Sequence, residues 1–220
     1  MPTESDKIEL SEHELREIAG YAAGCARRAL SIFEQSLPAD MRPRDAIDAA
    51  QAFAAGGKRT GALRHSGWAA YRAAQEAASP AAVEAARAAS HAAGAAFLHP
   101  LASAHQVKHI LGAPAHAARA EELTSGEDQR ATAGTLEWAR HHAPTAVTAM
   151  LGRLPAASPG GGGWESSVAI STSLSAPEGD QIPEARLRIG DRDTPDLVPG
   201  VQSEAFDASV GVLFWDSATR

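Results

Sequence analysis

The 220-residue chain has a single cysteine, Cys25. That excludes an internal disulfide framework and a cysteine-rich zinc site. Aromatic residues make up only 5%, so few large anchors are available to a core. Long apolar runs are missing as well. No stretch approaches the roughly 18 uninterrupted apolar residues of a membrane helix, and no membrane partner is expected. The opening MPTESDKIEL is polar and acidic, and no apolar segment follows it. A signal peptide is therefore not expected, and the cytoplasm is the expected location. Excess positive charge is also absent: the net charge is −7 and the pI about 5.7. That balance argues against a nucleic-acid binder and suits a protein that meets a basic partner.

The apolar content present is mostly alanine. Alanine is the best helix former, but each one buries little area. A fold built from it needs many helices in extensive contact. Helix signals fill the first two thirds of the chain. Ser11 stands as an N-cap with Glu14 at the capping-box position. Leu15, Ile18, Ala22, Cys25, Ala29 and Phe33 then recur at three- and four-residue spacing. Pro38 ends that element. RPRDAIDAAQAFAAGG places Ile47, Ala50 and Ala54 on one side and stops at Gly56-Gly57. TGALRHSGWAAYRAAQEAAS carries Trp68 and Tyr71. Ser79-Pro80 is an N-cap followed by a proline in the first turn. The next helix shows a narrow small-residue face of Val83, Ala86, Ser90, Ala93 and Phe97. A short helix, AHQVKHIL, is expected from a Ser103 cap to Gly112, with Pro114 starting another turn or two. QRATAGTLEWARHH and TAVTAMLGRL complete the set, the latter initiated by Pro144. The predicted fold class is all-α, an array or bundle of about six to eight helices.

At PAASPGGGGW the character changes. Residues 160–220 hold ten Asp/Glu against four Arg and no Lys. SVAISTSL, ARLRIG and SVGVLFW alternate weakly and could be short strands. The chain therefore divides into a helical domain, 1–157, and an acidic tail, 158–220, poorly ordered or a small β unit.

Residues 97–116 carry four histidines: His99, His105, His109 and His116. His105 and His109 are four apart, the spacing that zinc-binding helices use. HQVKH lacks the glutamate of that motif, and a third ligand would have to come from His91, His99, His116 or a distant carboxylate. A helical wheel centred on Val107 puts Ile110 and Leu111 near it and both histidines opposite. On that wheel His105, Lys108 and His109 face outward and form a candidate partner-binding surface. A metal-binding protein or metalloenzyme built on these histidines is the alternative.

AAGGKRTG superficially looks like a phosphate loop. Ala52 and Arg59 stand where the motif needs Gly and Ser/Thr. It reads as a helix end, a basic turn and a new helix, although Lys58, Arg59 and Arg64 could contact an acidic partner. No G-x-S-x-G elbow occurs. His65 and Ser66 are helix neighbours pointing about 100° apart, which is no dyad. Cys25 lies in an apolar stripe, the setting of a buried inert thiol. Glu121 and Glu122, like Asp45 and Asp48, sit where helix-end charges sit. No catalytic residue, metal or cofactor is assigned.

RPRDAI, the Gly-Gly-basic turn, HAAGAAFLHPLA and HQVKHILG form an unusual set of words. With WARHHAPTAVTAMLGRLPAA they span roughly residues 11–153. In these the chain resembles the Imm-5-like immunity proteins, a family common in actinobacteria. The resemblance implies an all-helical, non-enzymatic protein that protects its producer by binding a polymorphic toxin. It supplies no functional residues. Departure begins at the glycine run, where similar proteins continue into a Leu/Arg-rich helix; a frameshift near PGGGGW is one explanation.

Overall fold

The computed structural model describes residues 7–103, 105–125 and 129–155. Seven helices occur among them: α1 (Glu12–Ser36), α2 (Arg42–Ala54), α3 (Gly61–Glu76), α4 (Pro80–Ala95), α5 (His105–Ser125), α6 (Gln129–His141) and α7 (Thr145–Arg153). No strand occurs among the described residues. A single antiparallel bridge ties Lys7 to Leu101. The all-α expectation holds. The acidic tail, its possible strands and the 157/158 boundary lie outside the described residues.

Local chemistry sets the helix starts. Ser11 Oγ accepts the N–H of Glu14, and the Glu14 carboxylate accepts the N–H of Ser11 at 2.8 Å, so the capping box forms as expected. Those bonds to Ser11, helped by Arg153, hold the Glu14 pKa below the usual carboxylate value. Thr60 and Ser79 cap α3 and α4 with the hydroxyl alone, accepting the N–H of Leu63 and of Ala82. At α2 the cap comes one residue earlier: Asp40 accepts the N–H of Arg42 at 3.1 Å and grips its guanidinium. After α2 the chain turns at Gly56, whose φ of 105° is left-handed. Gly57 closes the turn by donating to the Ala52 carbonyl at 2.9 Å, and a Cβ there would stand 2.6 Å from that oxygen.

α4 is the axis of the fold, packing against α1, α2, α3 and α5. Its sequence, PAAVEAARAASHAAGA, buries residues on every side rather than along one face. This corrects the expectation of a narrow face. An alanine side chain is one methyl, so four neighbours can approach closely. Bulk comes from those neighbours: Ile18 and Phe33 of α1, Ile47 and Phe53 of α2, Ile110 and Leu111 of α5. Each such side chain contributes about 1.5–3 kcal/mol when fully buried.

α5 is also longer than the sequence suggests. Gly112 and Pro114, expected to end one helix and begin another, both lie inside a continuous 21-residue helix. It is held between α4, α1 and α6, and that packing outweighs the local break signal. α7 closes the chain back onto α1: Arg153 donates to Glu14 Oε1 and to the Glu9 carbonyl, both at 2.8 Å.

Candidate functional site

The polar groups of the interior gather where α4 meets α5. Glu84 and His91 are seven residues apart on α4, and His109 and His116 are seven apart on α5. Seven residues is close to two helical turns, so each pair shares a face. His116 Nδ1 lies 2.5 Å from Glu84 Oε2. An ionised carboxylate can only accept, so that ring nitrogen carries the proton. The His91 ring stacks on His116 with centroids 5.0 Å apart and planes at 26°. Arg87 reaches Glu84 from one turn along α4 at 3.2 Å.

Burial dictates the electrostatics. His91 is 2% exposed, and its pKa is pushed well below the usual histidine value, first by desolvation and then by His116, His109 and Arg87. It is a neutral ring in a closed space. Burial alone would raise Glu84, but His116, Arg87 and Arg119 more than offset it and hold the carboxyl below its usual value. In the sequence His91 and His116 stand only as candidate third ligands, and His109 as part of an outward surface. The signal that joins them is the matched heptad spacing, 84/91 and 109/116.

Of the three residues expected to face a partner, His105 opens α5 and Lys108 is half-buried. His109 is 7% exposed and belongs to the core. This corrects the outward orientation expected of it. The wheel assumed one buried face, whereas α5 is packed by three helices. Among the described residues no three His, Cys, Asp or Glu side chains gather so that they could hold a metal ion. His65 bonds its own helix at Gly61 O, and Ser66 donates to Leu63 O, so the two form no dyad. Cys25 is fully buried, and desolvation pushes its thiol up to about 12. Asp48 pairs with Arg27 and Glu122 with Arg119, each at 2.6 Å.

Two surface features stand apart from this core. One is an open groove of about 620 Å³ between α1, the end of α2 and the α6–α7 corner. Trp138 forms its wall, stacked on His142 at 4.1 Å with the Arg28 guanidinium over the ring at 5.4 Å. Gly24 lets the indole sit against α1, since a Cβ there would lie 3.0 Å from it. The other is the basic turn before α3. Arg64 lies over the Phe97 ring at 4.4 Å and Arg59 at 5.9 Å, and Arg59 also donates to the Ala96 carbonyl at 3.3 Å. No helix among the described residues is long and apolar enough to cross a membrane.

The described residues form an alanine-rich, all-helical bundle with a buried polar cluster between α4 and α5. The chain belongs to the Imm-5-like family: residues 7–146, well over half its length, match the family described as "Imm-5 like putative immunity protein". The match runs from the Lys7 bridge to the first turn of α7. No curated protein and no solved structure matches the chain.

Proposed function

We propose that this chain is a non-catalytic immunity protein that neutralises a cognate toxin by binding it, in the cytoplasm of the cell that makes it. The family match over residues 7–146 carries this reading. The packing supports it. Side-chain caps on α1, α3 and α4, buried alanines and ion pairs between helices hold the bundle in place, so a binding face would be presented already ordered. A preformed face loses less entropy on association than one that must be assembled. Lys108, half-buried on the first turn of α5, is retained as a contact residue, with His105 beside it in sequence.

The test begins with capture of the tagged full-length chain from its source organism, with partners identified by mass spectrometry. The captured partner's terminal domain is then expressed alone and with this chain. Growth arrest relieved by co-expression is the expected result. Arrest that persists at stoichiometric binding would overturn the reading. The histidine-metal alternative has no gathered ligand set among the described residues, and a stoichiometric metal in the purified full-length chain would bring it back.

A further inference from the structure

Residues 160–220 carry a net charge of −6, so residues 1–159 carry only −1 of the −7 total. On a nearly neutral body, a local cation cluster stands out. Most arginines there are paired: Arg16 meets Glu12, Arg27 meets Asp48, Arg44 meets Glu34 and Arg153 meets Glu14. Lys58, Arg59 and Arg64 meet no carboxylate among the described residues.

These cations are ordered by their surroundings. Phe97, at the end of α4, lies under both guanidiniums, and the Ala96 carbonyl holds Arg59. A guanidinium lying on an aromatic face keeps outward N–H groups for a carboxylate, here the ones other than the buried Arg64 Nε and the Arg59 Nη1 N–H given to Ala96. α3 begins beside them. Thr60 takes the N–H of Leu63 on its hydroxyl and that of Arg64 on its carbonyl. The exposed amides of Gly61 and Ala62 are the first two of the helix, which have no partner within it. Nothing lies within 4 Å of where a Cβ on Gly61 would stand, so the approach is open. The first turn of α3 has no acidic residue, and its end carries partial positive charge.

We propose that Lys58, Arg59, Arg64 and the amides of Gly61 and Ala62 form a docking surface for a carboxylate-bearing segment of the protein partner. The partner's being a toxin rests on the immunity reading; the surface's preference for carboxylates does not. A nucleic acid fits less well. Three cations are a short patch beside the stripe such ligands need, on a chain of net −7.

The experiment is a titration of the isotope-labelled full-length chain with hexaglutamate at low salt, read by amide shifts. Saturable shifts centred on Gly61 and Ala62 are expected. Lys58→Glu, on an exposed side chain, should weaken them about five-fold or more. Arg64→Lys keeps the charge without the fork and should give a smaller loss. Absent or scattered shifts, or unchanged binding by Lys58→Glu, would overturn the proposal. So would duplex DNA that saturates the same amides more tightly than the peptide. A captured toxin neutralised equally well by Lys58→Glu/Arg59→Glu would leave the immunity reading standing and remove this surface. Failure of growth protection with the peptide result intact would do the reverse.

Discussion

Gly112 meets His91 with a bare Cα: a methyl group built there would lie 2.5 Å from the ring's Nδ1 and 2.7 Å from its Cγ. The ring therefore fills the space that a side chain on α5 would take. It is clamped on another side by the stacked His116, which Glu84 holds in place. A polar residue buried this completely fixes the register of α4 against α5, because sliding either helix would drive a Cβ into the ring.

The neutral state of His91 makes stability depend on pH. Its folded pKa is depressed, while in the unfolded chain it is about 6.5. Below that value the unfolded state binds a proton that the folded state refuses, so stability is full above about pH 6.5 and falls as the pH drops. The slope should reach up to about 1.4 kcal/mol per pH unit from this ring. The charges around it, Arg87, His109 and His116, all oppose protonation. Glu84, also depressed, adds loss in the same direction at lower pH. Urea unfolding of wild type and His91→Gln from pH 7.5 to 5.5 checks this. The gap between the two should narrow as the pH falls; parallel curves would retire the assignment.

Gly112→Ala should destabilise the protein by about 2–3 kcal/mol, since the ring that must yield is enclosed. The pair His91→Ala/Gly112→Ala should cost clearly less than the two single changes added together, because the second methyl enters space the first substitution vacated. Additive losses in a double-mutant cycle would mean that the α4–α5 packing does not depend on this contact.

The sequence announces helix starts far better than helix surroundings. Ser11 with Glu14 and Ser79-Pro80 act through atoms three residues away, so a short window contains the whole mechanism. The limits of α5 do not work that way. Gly112 and Pro114 look like punctuation because the reason for the glycine, the His91 ring, is 21 positions away on another helix. His109 looked exposed for a similar reason. HQVKH shows one apolar face when read alone, but a helix packed by three others buries much more than one face, His109 included. The basic turn was legible as a cluster, whereas the Phe97 ring that orders it comes from the far end of α4.

Cys25 should be unreactive in the native protein. It is fully buried and its thiol is pushed up to about 12 by desolvation, so thiolate is scarce at neutral pH. An aromatic disulfide reagent at pH 8 should label it at least about a thousandfold more slowly than in urea, at the rate of transient opening. Stoichiometric labelling within the mixing time would show that α1 is not packed as described.

His109 and Lys108 are neighbours with different expected costs. His109 is 7% exposed, so His109→Ala removes a buried ring and should lower stability by about 2–3 kcal/mol. Lys108 is half-buried, and Lys108→Ala should change stability by less than about 1 kcal/mol. A triple alanine variant of His105, Lys108 and His109 would mix the two effects, and a lost interaction could then be unfolding in disguise. Lys108→Ala alone separates them. If Lys108 meets the toxin, growth protection should fall while the thermal midpoint barely moves, and raising the salt should shrink the difference between variant and wild type. Full protection by Lys108→Ala would remove α5 from the binding face and leave the basic turn before α3 as the surface to examine.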